Sequence, residues 1–194
     1  MSDTRFFTEN FVTPTGTMLL LTDGDEQIRA LDWDDYAPRM HQLLRLQYGR
    51  VRLDARDGIS AARRAIEAYF DGILTALDSL PVKTAGTAFQ RTVWAALRTI
   101  PIGATTTYGR LAAQLGRPKA MRAVGMANGS NPISIIVPCH RVIGANASLT
   151  GYGGGLARKY WLLRHEGALP AQAPEHRPRQ LRLEGIAMPV PNPG

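Results

Sequence analysis

The chain has 194 residues, 44% of them hydrophobic, enough to bury a core in one large domain or two small ones. Its apolar runs are short, such as Met18-Leu19-Leu20-Leu21, which excludes a membrane-crossing helix, and the start of the chain lacks the basic and apolar stretches of a secretory signal, so a cytoplasmic protein is expected. The single cysteine, Cys139, excludes an internal disulfide and a cysteine-rich zinc site, leaving either an inert buried thiol or a reactive one.

The net charge of +7 is uneven: residues 1–79 carry 13 acids and 9 bases, whereas residues 80–166 carry 11 bases and one acid, Glu166. A stretch at +10 suits a polyanion binder, because lysine and arginine gain affinity by releasing phosphate counterions. A surface built only for solubility usually mixes both signs.

Punctuation divides the chain into residues 1–82, 83–168 and 169–194. In the first stretch, Thr17 to Thr22 and Gln27 to Trp33 are apolar-rich runs joined across Asp23-Gly24-Asp25, which reads as a β-hairpin. Two helices follow. Tyr36 to Tyr48 places Met40, Leu43, Leu44 and Gln47 at helical spacing, and Ser60 is the expected N-cap of a helix running to about Phe70. No catalytic constellation shows in this stretch. Its ionisable residues read as a solvated face, and His41 has no evident partner.

The second stretch opens with Thr87 to Thr99, where Phe89, Val93, Trp94 and Leu97 form an amphipathic stripe expected in the core. Beyond the turn at Ile100-Pro101-Ile102-Gly103, Thr107 to Leu115 reads as a short helix that Gly116-Arg117-Pro118 breaks. A second helix then runs from near Lys119 toward Asn128, giving a helix–turn–helix. The expected fold class is therefore α/β (α+β): a small N-terminal antiparallel sheet with helices, then a mostly helical part. The second helix is rich in small residues (Ala120, Ala123, Gly125, Ala127), so it reads base edges poorly but can bring its backbone close to phosphates. Arg122 is the long side chain able to probe the base stack, unless it is only a phosphate contact or a helix-end charge.

Next, Asn131 to Val137 reads as an apolar strand running into Pro138-Cys139-His140-Arg141. A free thiol with a pKa of about 8.5 is mostly protonated at neutral pH, and imidazole and guanidinium neighbours are what shift such a thiol toward the thiolate. Cys139 and His140 diverge in either a strand or a helix, so a proton path between them calls for a bridging water. Glu166 ends a helical stretch just before Gly167, where the negative end of the helix dipole opposes it, so it needs a tertiary partner. His140 would complete a carboxylate–imidazole–water–thiol relay; the alternative partners are Arg141, Arg158 and Lys159. The tail from Leu169 holds six prolines, which excludes regular helix or strand interiors, and reads as a mobile segment.

Pro138-Cys139-His140-Arg141, together with Tyr108, Arg122, Asn131-Pro132, Gly153-Gly154-Gly155 and Glu166, resembles the O6-alkylguanine-DNA alkyltransferases of the constitutive bacterial type, over residues 1 to about 168. The resemblance implies a ribonuclease H-like domain over 1–82 and a DNA-binding, alkyl-acceptor domain over 83–168. It implies a helix–turn–helix entering the minor groove of double-stranded DNA, with Lys119, Ala120, Arg122 and Ala123 at the DNA and Arg122 filling the space of an everted nucleotide. Cys139 would attack the alkyl carbon, with His140 and Glu166 as relay and Asn131 bracing the cysteine turn. Tyr108 would line the pocket and assist the leaving guanine, while the backbones of Cys139 and Val142 hold its exocyclic amino group. The backbone N–H of the Gly153-Gly154 loop would meet O6; some members carry serine where Gly153 stands. The resemblance implies a single-turnover methyltransferase acting as a monomer, with no cofactor and no metal. Two rivals remain on residues alone: a helix–turn–helix regulator or damage-recognition protein with an incidental thiol, and a cysteine hydrolase using Cys139 and His140. Cys139 with His140 and Glu166 argues against the first, and the +10 stretch against the second.

Overall fold

A computed structural model describes residues 4–169. The proline-rich tail lies outside the described residues from position 170 onward.

The chain opens with β1 (Thr4–Thr13), β2 (Gly16–Thr22) and β3 (Ile28–Trp33), paired antiparallel in turn. The expected hairpin is β2–β3. Asp23 organises its turn by accepting from the backbone N–H of Asp25 (3.0 Å) and Gln27 (2.9 Å) through one carboxylate oxygen. Helix α1 (Ala37–Tyr48) leads to β4 (Val51–Ala55), which adds beside β1 in parallel. The sheet, ordered β3-β2-β1-β4, is therefore mixed and not wholly antiparallel as expected. The reason is directional: β3 and β4 both run parallel to β1, and same-direction strands need a crossover, which α1 supplies.

Alternation along the strands gives the sheet two buried faces. Phe6, Leu21 and Ala30 meet Met40 and Leu44 of α1 in a small core. Phe11, Met18, Leu20, Leu31 and Trp33 face the other way into the main core, joined by Ile66 and Tyr69 of α2 (Ala61–Phe70). Ser60 caps α2 as expected, accepting from the N–H of Arg63 at 3.0 Å, while its own N–H donates to Glu9 at 3.1 Å.

The main core continues without a break into the second stretch. Helix α3 (Ala88–Leu97) starts at a Thr87–Gln90 capping box and contributes Val93, Trp94 and Leu97. Two short helices follow, α4 (Tyr108–Gln114), capped by Thr107, and α5 (Met121–Gly129). A turn at Gly116-Arg117 and a 3-10 turn at Pro118–Ala120 join them, and Leu111, Ala112, Val124 and Ala127 fill the core. Strand β5 (Thr106–Thr107) pairs in parallel with β6 (Val142–Ile143), and α6 (Leu156–His165) closes the described chain.

Residues 131–137 are not a strand. Only Ile133 forms a bridge, to Leu31 of β3, with Leu31 N–H donating to Pro132 O (3.0 Å) and Ser134 N–H to Leu31 O (2.8 Å). Pro132 has no donor to give a ladder, Ile135 takes the left-handed backbone (φ +67°), and side-chain bonds from Asn131 replace strand pairing. The outcome is a buried, tightly turned segment that ends at the thiol.

Candidate active site

Cys139, His140 and Arg141 form a 3-10 turn between that segment and β6. The turn is braced by Asn131, which is fully buried. Its Oδ1 accepts from Ile133 N–H at 3.0 Å, and its Nδ2 lies 3.2 Å from Ile133 O, 2.8 Å from Val137 O and 3.1 Å from Cys139 Sγ. Cys139 is only 4% exposed.

His140 and Arg141 both turn to Glu166, which caps the C-terminus of α6. His140 Nε2 lies 2.9 Å from Glu166 Oε1; Arg141 donates from Nε to Oε2 at 2.8 Å and from Nη2 to Oε1 at 2.9 Å, and a further N–H of Arg141 reaches Ile100 O at 2.6 Å. Glu166 thus takes two of its possible partners at once. Arg158 pairs with Asp35 at 2.9 Å, and Lys159 donates to the backbone oxygens of Val142 (2.6 Å) and Thr150 (2.7 Å). Tyr69 of α2 adds a hydroxyl donor to Glu166 Oε1 at 2.9 Å.

The electrostatics follow from burial and partners. Burial alone would raise the Glu166 carboxyl, but hydrogen bonds from His140 and Arg141 outweigh it and hold the group far below the usual carboxylate range. Burial lowers His140 below its ordinary value despite the opposing Glu166, so the resting imidazole is neutral. With Glu166 ionised, Nε2 carries the proton and Nδ1 is left as the basic atom. Nδ1 is buried and has no partner among the described residues.

The thiol differs from expectation. Burial pushes Cys139 above its ordinary pKa, and the bond from Asn131 with the charges of Arg39 and Lys159 only partly offsets this. The adjacent basic residues do not lower it at rest, because His140 is neutral and Arg141 spends its donors on Glu166 and Ile100 O. Burial likewise lowers Lys159 to about 8.

The first stretch is no mere solvated face, as its lack of motifs had suggested. Asp32 in β3 is fully buried and takes Arg39 of α1 at 2.5 Å. The same guanidinium donates to Gly129 O (2.8 Å) and Asn131 O (2.9 Å), tying the sheet to the cysteine turn. Tyr69 and Arg39 were missed because contacts across 97 and 92 positions leave no local trace. Asp32 did carry a signal, a lone acid inside an apolar strand.

Tyr108, the first residue of α4, is half-buried; burial raises its phenol, with Thr150 opposing and the nearby Cys139 adding. Val142 is buried, its oxygen already taken once by Lys159. Gly154 is buried, and a Cβ there would sit 2.3 Å from the Trp33 ring; at Gly153 it would meet the Arg39 guanidinium at 2.7 Å, so Arg39 occupies the space a serine would need. Lys119, Arg122 and Ala123 are exposed and Ala120 partly so; they lie on α5 and the turn before it, with Arg110 and Arg117 also exposed nearby. Among the described residues, no group of three or more His, Cys, Asp or Glu is placed to hold a metal ion, and no helix is long and apolar enough to cross a membrane.

A buried thiol thus stands next to a carboxylate-oriented imidazole, in a stretch whose α4 and α5 and the turn between them expose Arg110, Arg117, Lys119 and Arg122, the arrangement of a thiol-bearing protein with a basic face. Residues 88–168 match the family model described as 6-O-methylguanine DNA methyltransferase, DNA binding domain. The chain is 53% identical over 170 residues to the methylated-DNA–protein-cysteine methyltransferase of Shigella flexneri, covering 85% of this chain and 98% of that protein. It is 44% identical over 168 residues to the protein of the same name from Haemophilus influenzae, covering 84% and 87%. Among solved structures, Mycobacterium tuberculosis OGT in complex with DNA superposes with a TM-score of 0.71 at 42% identity, covering 86% of this chain and 96% of that one. The archaeal O6-methylguanine-DNA methyltransferase of Pyrococcus kodakaraensis shares the fold, with a TM-score of 0.62 at 22% identity over 84% and 99%. The chain belongs to the methylated-DNA–protein-cysteine methyltransferase family, the alkyl-transfer class of DNA-repair proteins.

Proposed function

We propose that the protein reverses alkylation of guanine O6 in duplex DNA, and of thymine O4, by moving the alkyl group irreversibly onto Cys139, one group per molecule. The observation that carries this reading is the buried 2.9 Å contact of His140 Nε2 with Glu166 Oε1 beside the chain's single thiol. It leaves Nδ1 as a base with no protein partner, and a water between Nδ1 and Sγ completes the path.

Burial keeps the thiol protonated at rest, so deprotonation accompanies attack. A water proton passes to Nδ1 and the Sγ proton replaces it on the water, forming an imidazolium that Glu166 stabilises. Sγ bonds to the alkyl carbon, the carbon–O6 bond breaks with its electron pair going to guanine, and guanine regains a proton with help from Tyr108. The product is a thioether, which leaves no thiol for a second round. Asn131 keeps Sγ in place, the backbones of Cys139 and Val142 accept from the exocyclic amino group, and the Gly153-Gly154 backbone donates to O6.

A thiol 4% exposed cannot reach a stacked base, so the target nucleotide leaves the duplex. Arg122 fills the gap it leaves, with Lys119, Ala120 and Ala123 against the minor groove, and the surplus of basic side chains supplies phosphate affinity. Incubation with an O6-methylguanine duplex is expected to add about 14 Da at Cys139, at most once per molecule, as a methyl replaces a proton. Intact mass decides it; an unmodified protein or repeated turnover on excess substrate refutes the mechanism.

A further inference from the structure

Among the described residues, four buried side-chain polar atoms have no hydrogen-bond partner in the protein: Glu9 Oε1, Asn128 Oδ1, His140 Nδ1 and Tyr152 Oη. Two of the four belong to side chains that touch. The rings of His140 and Tyr152 meet edge to face, with centroids 6.4 Å apart and planes at 84°, so the two unpartnered atoms sit on neighbouring rings. Tyr152 is fixed in that position. Its ring meets Trp33 edge to face at 6.0 Å, and the glycine loop packs so closely that a Cβ at Gly154 would come within 3.0 Å of Tyr152 Cε1.

An unpaired buried hydroxyl and an unpaired buried ring nitrogen are each costly, and one water bonded to both would satisfy them together. We propose that Tyr152 is a positioning residue of the alkyl transfer, its hydroxyl holding the water that carries the proton from Cys139 Sγ to His140 Nδ1. The inference rests on the alkyl-transfer reading above. The phenol donates to the water oxygen, where negative charge builds as a water proton passes to Nδ1 and before the Sγ proton replaces it. The donor is permanent: burial, with the charge of Cys139 adding, holds the Tyr152 phenol well above its ordinary pKa. The ionisable groups around Cys139, His140 and Tyr152 are Glu166, Arg141, Lys159, Asp32, Arg39, Tyr69 and Tyr108.

The test is Tyr152→Phe in the full chain, with single-turnover methyl transfer from an O6-methylguanine duplex followed between pH 6 and 9 and thermal melting measured alongside. Because the hydroxyl bonds no protein group, Tm is expected to stay level or rise. The transfer rate near neutrality is expected to fall about tenfold, the loss of one positioning hydrogen bond in the transition state. That deficit narrows toward pH 9, where hydroxide can take the thiol proton directly. Equal rates, whether Tm stays level or rises, would make the hydroxyl an idle buried group and overturn the proposal. A lower Tm, or a deficit of the same size at every pH, would assign Tyr152 a structural role and overturn it too. A wild-type protein that transfers nothing would instead bring down the alkyl-transfer reading, and the control reaction shows that separately.

Discussion

Replacing Glu166 with Gln keeps the shape of the site and removes its charge. Four donors converge on the carboxylate: Tyr69 Oη, His140 Nε2 and Arg141 Nη2 at Oε1, each at 2.9 Å, and Arg141 Nε at Oε2 at 2.8 Å. A carboxylate has about four lone-pair sites to meet them, whereas an amide offers one oxygen and sets an NH2 against at least one donor. The Arg141 side chain, 10% exposed, loses its counter-charge, and breaking a buried pair costs about 3–5 kcal/mol. Arg141 keeps its bond to Ile100 O, which places the expected loss near the lower end, about 3 kcal/mol. The carboxyl titrates in the fold below its ordinary value of 4.5, so its stabilisation is full above that value and is lost as pH falls through the lower folded one. The wild type should therefore weaken on acidification below about pH 4.5 by a component that the variant lacks. Without the anion, the imidazolium formed during transfer stands unsupported in a site that already disfavours it, and the rate should drop by about a hundredfold or more. Urea unfolding at neutral and acid pH, with single-turnover transfer by the folded fraction, reads both effects. A stability loss under about 1 kcal/mol together with an unchanged rate would refute the relay as drawn.

Two further substitutions probe the supports of the site. Arg39→Ala strands Asp32, whose side chain is 1% exposed, and frees the backbone oxygens of Gly129 and Asn131, so urea unfolding should show a loss of about 3–5 kcal/mol; less than about 1 would mean that the clamp holds nothing. Arg122→Ala touches only an exposed side chain, so Tm should not move, while transfer from a duplex slows about tenfold and transfer from a single strand, whose base is already unstacked, barely changes. Equal slowing on both substrates would remove Arg122 from the eversion step.

Local signals carried much of the architecture. The β2–β3 turn, the Ser60 cap and the breaks around α4 and α5 each rest on side-chain chemistry within a few residues, and they formed where that chemistry pointed. β4 escaped notice because Val51-Arg52-Leu53-Asp54-Ala55 is a short, mostly exposed edge strand whose partner lies nearly fifty positions earlier. Residues 131–137 looked like a strand by apolar content alone, since nothing in that content shows that one asparagine amide will stand in for a ladder. Glu166 stood out by its isolation in a basic stretch, yet its bidentate Arg141 and its Tyr69 donor depend on how α2 and α6 pack. The raised pKa of Cys139 has the same origin: adjacency in sequence put two basic residues beside it, and the 3-10 turn aims both at Glu166.

The clamp from Arg39 and the hydroxyl from Tyr69 also set an order of assembly. Synthesis runs from the N-terminus, and domains generally fold as they emerge. Asp32, Arg39 and Tyr69 are all made before Asn131 and Cys139, and Glu166, which gathers His140, Arg141 and Tyr69, comes last. A nascent chain therefore exposes its thiol while the imidazole beside it still lacks a carboxylate. The His140–Glu166 pair on which the proposed relay depends is therefore assembled only once the last turn of the last described helix is in place.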